Sequence, residues 1–253
     1  MRKMFQKTMI LGAVAMLAPM SAVNAQDKAE VSLGVDMVSD YIWRGIDCGE
    51  GSFQPYLGVS YKGLSLTAWG STEFSNFGSS KELDFTLAYS IKGFNIGITD
   101  YWFSAGQDGY YDSETGEWVD NSRYFIYKAH KTNHVFEVNV GYDFFGHVNL
   151  QWYTNFAGND YAADGDHAYS SYVELSAPFQ FAHLDWNAAV GAVPYESSGT
   201  YGYCDGFSVT NVSLKAAYDI KVTEKFDIPV FGQVVCNPHE DKMYFIVGVS
   251  LGI

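Results

Sequence analysis

Strict alternation of apolar and polar residues is the feature that most constrains the fold of this chain. In the first such segment, one parity carries Val31, Leu33, Val35, Met37, Tyr41 and Trp43, and the other carries Ser32, Asp36, Asp40 and Arg44. The segments Leu83–Ile91 and Val135–Phe144 follow the same pattern. A helix would scatter these residues around its circumference, because its period is 3.6 residues rather than two. The pattern therefore predicts β-strands with one apolar face and one polar face.

Twelve such runs follow one another from residue 30 to the C-terminus, separated by connections that alternate between short and long. The predicted strands are 30–45, 52–61, 64–74, 82–91, 94–104, 133–144, 148–157, 168–178, 182–194, 207–220, 225–236 and 241–253. Short turns include Lys62-Gly63 and Lys92-Gly93, and long connections include Ile46–Gly51 and Ala105–Thr132. A soluble β-sandwich could supply many strands but does not require this alternation of loops. We predict an all-β, transmembrane, antiparallel up-and-down β-barrel of about 12 strands.

Composition agrees with a membrane barrel and excludes several other classes of protein. Hydrophobic residues make up 47% and charged residues 17%, which leaves too much apolar surface for a disordered chain. Beyond the N-terminus no uninterrupted apolar run reaches the roughly 18 residues of a spanning helix. The net charge of −14 argues against binding nucleic acid through a basic surface.

The N-terminus has the layout of a cleaved export signal. Arg2, Lys3 and Lys7 precede the apolar stretch Met9–Met20, and Val23-Asn24-Ala25 supplies small residues at the cleavage site. We predict a signal peptide at 1–25 and a barrel domain at 26–253, in the cell outer membrane. The expected partners are outer-membrane lipid, the barrel-assembly machinery and small solutes or cations. Cleavage would leave 12 basic and 29 acidic residues.

The polar face of the strands is the candidate functional surface, because it would face the barrel interior. We predict these pore-lining residues: Asp36, Asp40, Arg44, Glu73, Asp84, Glu137, Glu174, Asp185 and Lys215. Acids outnumber bases, so an open lumen would act as a passive channel for small solutes that prefers cations. The Ala105–Thr132 loop would gate this channel at its mouth. Alternatively, paired side chains could fill the interior of a non-conducting structural or adhesion barrel whose external loops are functional.

The sequence indicates no enzyme, metal or cofactor site. His130 and His134 are four residues apart, which brings two imidazoles to one metal on a helix but not at the start of a strand. Ser170, Ser171 and His167 lie near Asp166 but lack the surroundings of a catalytic nucleophile. The acidic stretch Gln107–Asp120 could hold Ca²⁺, although Thr115-Gly116 indicates a hairpin turn instead.

Two further features leave alternatives open. Cys48, Cys204 and Cys236 all fall at predicted external loops or strand ends, so a disulfide between two of them is a hypothesis. Asp100 shares the apolar parity of its strand, and a β-bulge after Ile98 would turn it inward. The sequence does not decide its orientation.

The stretch Val38-Ser39-Asp40-Tyr41-Ile42-Trp43-Arg44-Gly45 resembles the opening strand, SDY-x-(F/W)-RG, of the TorF-type porin family of bacterial outer-membrane barrels. Gln54-Pro55 and Ala68-Trp69-Gly70 continue in the same style. The resemblance implies an outer-membrane protein that forms pores, usually of undefined substrate, and it supplies no catalytic residues. The chain departs from many barrel-assembly signals by ending in Ile253 rather than Phe.

Overall fold

The computed structural model describes residues 28–75, 81–104, 110–112, 116–119, 123–224 and 226–252. The predicted signal peptide lies outside these residues. The strands are β1 Glu30–Trp43, β2 Ile46–Tyr61, β3 Leu64–Glu73, β4 Lys81–Ile91, β5 Phe94–Ser104, β6 Tyr110–Asp112, β7 Glu117–Val119, β8 His134–Phe144, β9 Val148–Gly158, β10 Ser171–Phe181, β11 Leu184–Val193, β12 Ser197–Gly199, β13 Gly202–Cys204, β14 Ser208–Lys221, β15 Asp227–Asn237 and β16 Lys242–Gly252. In this described part of the chain, no helix is long and apolar enough to cross a membrane.

Twelve of the strands form one closed antiparallel barrel. Its order is β1-β16-β15-β14-β11-β10-β9-β8-β5-β4-β3-β2, and β2 returns to β1. The first and last strands pair from Gly34 opposite Gly252 to Val38 opposite Gly248, so no strand edge is left open. The remaining four strands make two small hairpins, β6–β7 and β12–β13. The prediction of a twelve-stranded barrel is confirmed, and the hairpin predicted at Thr115-Gly116 is present as β6–β7.

The faces of the barrel are inverted relative to a soluble protein. On β4, Thr86 is 6% exposed and points inward, whereas its neighbour Leu87 is 51% exposed and points outward. The same inversion runs around the wall, where the exposed outward side chains are Val31, Leu33, Leu57, Leu64, Leu66, Phe85, Ile96, Ile98, Val140, Leu150, Leu175, Val190, Leu214, Val234 and Val247. A continuous apolar outer band of this kind is stable only against another apolar surface.

The two ends of the barrel differ in their connections. At one end, here called the short-turn end, Lys62-Gly63 and Lys92-Gly93 make two-residue turns with positive φ at both positions, which matches the twist of a hairpin. Ala182-His183 does the same. The predicted strands 168–178 and 182–194 leave this turn at 179–181, and the structure displaces it to Ala182-His183 because β10 continues to Phe181. The opposite end, here called the long-loop end, carries the longer connections.

The β1–β2 connection contradicts the sequence prediction. Instead of a loop at Ile46–Gly51, β2 begins at Ile46, and the turn is only Arg44-Gly45, with φ of 52° and 85°. Tyr41 pairs with Gly49 and Ile42 with Asp47, so Cys48 is the extra residue of a β-bulge. Bulges bend a strand and increase its twist. The tip of the β1–β2 hairpin therefore bends away from the wall.

Candidate functional site

A buried ion pair crosses the barrel interior at the long-loop end. Arg44 Nη1 lies 2.6 Å from Glu137 Oε2, and Nη2 lies 3.3 Å from Oε1. Arg44 is at the β1–β2 turn and Glu137 is on β8, and the strands β2, β3, β4 and β5 stand between β1 and β8 in the wall. The two side chains are 9% and 1% exposed. The bent hairpin tip therefore places the Arg44 guanidinium across the lumen, next to the Glu137 carboxylate on β8.

Four aromatic rings surround the Arg44 guanidinium. Its central carbon lies 4.4 Å from the ring centre of Trp43, 3.7 Å from that of Tyr153, 4.9 Å from that of Tyr172 and 5.1 Å from that of Tyr201. A cation over an aromatic face is attracted by the ring quadrupole, more strongly when water is excluded. The planar fork of arginine also matches the two oxygens of a carboxylate. This position is thus specific for arginine rather than for any cation.

The second element that enters the lumen is the β12–β13 hairpin. Its tip residue Tyr201 is fully buried, and its hydroxyl donates to Glu137 and lies 3.1 Å from Asn155 Oδ1. Tyr101, on β5, donates its hydroxyl to Glu137 Oε1 at 3.0 Å. Burial and the Glu137 carboxylate raise the pKa of Tyr201, which keeps its hydroxyl protonated as a donor. The Glu137 carboxylate therefore accepts hydrogen bonds from Arg44, Tyr101 and Tyr201, which belong to three separate parts of the barrel.

We call this group the mouth cluster, and it consists of Arg44, Tyr101, Glu137, Tyr153, Tyr172 and Tyr201. Its members come from both inserted hairpin tips and from β5, β8, β9 and β10. Because the cluster is buried and internally bonded, it fills the interior at the long-loop end. Asn237 Nδ2 also donates to Gly45 O at 3.1 Å, which ties the hairpin tip to β15.

A second polar group extends from the mouth cluster along the wall. Tyr172 donates its hydroxyl to Glu174 Oε2 at 2.8 Å, and Asn211 Nδ2 lies 3.3 Å from the same oxygen. The ring of Tyr172 covers Gly191 on the neighbouring strand, where a Cβ would collide with the phenol. Glycine at this position thus lets a large side chain lie flat against the wall.

The middle of the barrel contains buried polar groups without protein partners. Asp36 Oδ1 and both polar atoms of the Gln54 side-chain amide have no hydrogen-bond partner among the described residues. Buried polar groups in native proteins are nearly always paired with protein atoms or water. These groups therefore indicate a region of the interior that is built to hold water.

The second buried cation, Lys215, lies in the same region. Its Nζ atom lies 3.7 Å from the ring centre of Phe231. The Asp36 carboxylate interacts electrostatically with Lys215 and is hydrogen-bonded to the Ser250 side chain. Beside them is an apolar patch that the inserted hairpin helps to build, made of Val38, Ile42, Phe231, Val235 and Ile246.

The structure places the nine predicted pore-lining residues on the inward face or at the hairpin tip. Arg44 and Glu137 meet, as do Asp36 and Lys215, and the other five are spread along the interior. Asp40 is paired with Glu50 of the neighbouring strand β2, and Glu73 is the last residue of β3. Near the short-turn end, the Gln180 side chain donates a hydrogen bond to Asp185. Sequence reasoning missed Glu82, which lies beside Tyr41 and Asp84 and shares the parity of Asp84 on β4. It also missed Tyr101, Tyr172 and Tyr201.

The remaining sequence candidates have other partners. Asp100 points outward in an unbroken β5 and lies 2.7 Å from His134 Nδ1, so the bulge considered after Ile98 is not formed. His130 stacks on Tyr161, at 4.1 Å between ring centres. His167 lies 4.0 Å from Asp160. Among the described residues, no group of three His, Cys, Asp or Glu side chains could hold a metal ion.

All three cysteines are free thiols, which contradicts the disulfide hypothesis. Cys48 sits in the bent hairpin, where its thiol is 3.8 Å from Ile46 O. Cys204 is buried against Val193 in the second inserted hairpin.

We expect Gly45→Ala to displace the β1–β2 tip from its position against β14 in the barrel interior. A Cβ at Gly45 would collide with the carbonyl of Thr210, and the positive φ adds about 1 kcal/mol of backbone strain. Gly146→Ala is the matched control, because Gly146 also has positive φ but has no heavy atom within 4 Å of an added Cβ. Single-channel recording should show more frequent openings for Gly45→Ala than for Gly146→Ala. Equal opening frequencies would contradict this role of the tip.

Comparison with known proteins adds little beyond the fold. No family model and no curated protein matches the chain, so the TorF-type resemblance stays a prediction. Among solved structures, the KdgM porin is 9% identical with a TM-score of 0.46, covering 87% of this chain and 97% of that one. An outer membrane channel from Pseudomonas putida F1 is 13% identical with a TM-score of 0.36, covering 88% and 93%. Because these scores are low, the barrel assignment rests on the strand pairing and inverted faces of the chain itself.

Proposed function

We propose that the protein is an outer-membrane channel for small solutes whose mouth is closed in this conformation by the mouth cluster. The observation that carries the proposal is the pair of buried side chains Asp36 and Gln54, whose Oδ1 atom and amide group have no protein partner among the described residues. A barrel filled only for stability would pair such groups, since each unpaired one costs about 1–3 kcal/mol. Water in the middle of the lumen satisfies them and supplies a path for solutes.

The placement in the membrane follows from the outer band of apolar side chains. Outer-membrane barrels have short periplasmic turns and longer external loops. The long-loop end therefore faces the outside, and the first residue of β1, Glu30, and the last residue of β16, Gly252, lie toward the periplasmic side. The predicted signal peptide and the barrel-assembly machinery would bring the chain there. The proposal assigns no catalytic reaction to the protein.

The interior charges favour cations over anions. The two buried basic side chains among the described residues, Arg44 and Lys215, stand next to Glu137 and Asp36. After these pairs are matched, other acids remain on the inward face: Glu174, and the neighbouring Glu82 and Asp84, which share a hydrogen bond and therefore carry one negative charge between them. Fixed negative charge in a lumen of low dielectric raises the local concentration of cations.

Planar-bilayer conductance of the refolded barrel tests the proposal. We expect discrete but infrequent current steps, with a reversal potential in a salt gradient that indicates cations. A folded, heat-modifiable barrel that passes no current, even when the mouth cluster is removed, would contradict it. That outcome would favour the alternative of a non-conducting structural or adhesion barrel, which the filled mouth by itself also permits.

Selectivity should depend on Glu174. We expect Glu174→Gln to move the reversal potential toward zero, because it removes a negative charge from the inward face while keeping an acceptor for Tyr172. Glu30→Gln is the control, since Glu30 is an exposed acid at the first residue of β1. An equal shift from both variants would indicate a general charge effect and not a lumen effect.

A further inference from the structure

The segment 123–132 concentrates positive charge in an acidic protein. It contains Arg123, Lys128 and Lys131 and no acid, whereas the whole chain has a net charge of −14. An uninterrupted run of aromatic and aliphatic residues, Tyr124–Tyr127, stands between Arg123 and Lys128. We call residues 123–132 the basic segment.

One end of the basic segment is fastened to the outside of the barrel. His134 Nε2 lies 2.6 Å from Tyr124 O, and its Nδ1 lies 2.7 Å from Asp100 Oδ1. The Tyr124 ring packs against Trp102, at 5.4 Å between ring centres, and against His134. Asp100 and Trp102 belong to the outward face of β5. The segment therefore lies on the outer wall and not over the mouth, which differs from the gating role expected for the Ala105–Thr132 loop.

The other end is held by a neighbouring loop. The His130 ring stacks on Tyr161, and the His130 backbone N–H donates to the Tyr161 hydroxyl at 3.0 Å. Close to this anchor the Lys131 N–H donates to Lys128 O at 3.0 Å, which closes a turn. Arg123, Lys128 and Lys131 are all exposed on this fixed scaffold.

The height of the segment matches the lipid headgroups. Further along the outward faces of β5 and β8, Ile98 and Val140 belong to the exposed apolar band. The segment lies just beyond that band at the long-loop end, and its Phe125 is 86% exposed. Aromatic side chains favour the boundary between acyl chains and headgroups. Lysine and arginine at this level are attracted to anionic lipids, by about 1 kcal/mol each.

We propose that the basic segment binds a phosphorylated lipid of the outer leaflet, with Arg123, Lys128 and Lys131 contacting phosphate oxygens and Phe125 entering the upper acyl region. The contact of Asp100 with His134 supports this site, because it gives the Asp100 carboxylate beneath the segment a partner other than the three exposed cations. The inference rests on the membrane placement proposed above and is independent of conduction.

Binding of lipid A, which carries two phosphates, tests the site. The refolded full chain in neutral detergent is titrated with lipid A, and native mass spectrometry counts the bound lipid. We expect the triple variant Arg123→Gln, Lys128→Gln, Lys131→Gln to bind at least tenfold more weakly, because each cation contributes about fivefold. The matched control replaces Lys62, Lys92 and Lys221, three exposed lysines at the short-turn end, with Gln and should bind like the wild type.

The other outcomes are informative in separate ways. Equal weakening in both triple variants would overturn the site, as would displacement of lipid A by inorganic phosphate at equal concentration. Chemical cross-linking tests whether a second copy of the chain occupies the segment instead. A cross-linked dimer that is lost in the Arg123, Lys128, Lys131 variant but kept in the control variant would overturn the lipid site in favour of that second copy. Phe125→Ser should weaken binding with all charges intact, and unchanged binding would contradict insertion of the ring. A heat-modifiable gel shift in every variant separates failure of the lipid site from failure of the barrel.

Discussion

Replacing the β12–β13 hairpin, Ser197–Cys204, with a short glycine–serine linker should convert a rarely open barrel into one that conducts steadily. The hairpin supplies Tyr201, whose ring and hydroxyl fill the space beside Arg44 and Glu137. The hairpin lies in the connection between β11 and β14, so its removal leaves the twelve-stranded wall intact. We expect the open probability in a planar bilayer to rise at least tenfold.

The Tyr201→Phe variant provides the matched control for that result. It keeps the ring among the other aromatic side chains but removes the donor to Glu137 and Asn155. Its open probability should fall between those of the wild type and the deletion variant. If the deletion variant conducts no more than the wild type, the hairpin does not close the lumen and the mouth cluster is not the barrier.

Much of the barrel could be predicted from sequence because its faces obey a period of two. Alternation identified twelve strands and the parity of the inward side chains, as for Asp36 and Lys215. It failed at the β1–β2 tip, because the bulge at Cys48 shifts the parity and the glycines nearby imitate a loop. One extra residue is enough to exchange the two faces of a strand.

The candidate site was harder to predict because it is formed by long-range contacts. Arg44 and Glu137 are 93 residues apart in the sequence. The alternation pattern predicts that both side chains point inward, but it does not predict that they form an ion pair. Their contact depends on the bend of one hairpin and the insertion of another, neither of which has a periodic signal. Asp100 is a related case. Its outward position became interpretable only when the register placed His134 beside it.

Arg44→Gln should be strongly destabilising, because it leaves the Glu137 carboxylate buried without its cation. Breaking a buried ion pair from one side costs about 3–5 kcal/mol. The double variant Arg44→Gln, Glu137→Gln should recover most of this loss, since no charge then remains and the new amide oxygen still accepts from Tyr101 and Tyr201. Urea unfolding in lipid vesicles, followed by tryptophan fluorescence, gives the free energy of unfolding for each variant.

A comparison with a solvent-exposed ion pair shows whether burial causes the loss of stability expected for Arg44→Gln. Lys242 and Glu240 approach to 2.7 Å but are 53% and 31% exposed. Exposed pairs contribute little to stability, so Lys242→Gln should leave the unfolding midpoint unchanged. A midpoint for Arg44→Gln that matches the one for Lys242→Gln would mean that water reaches the mouth cluster in the resting protein. The closed mouth would then be a transient state, and conductance would be expected without any substitution.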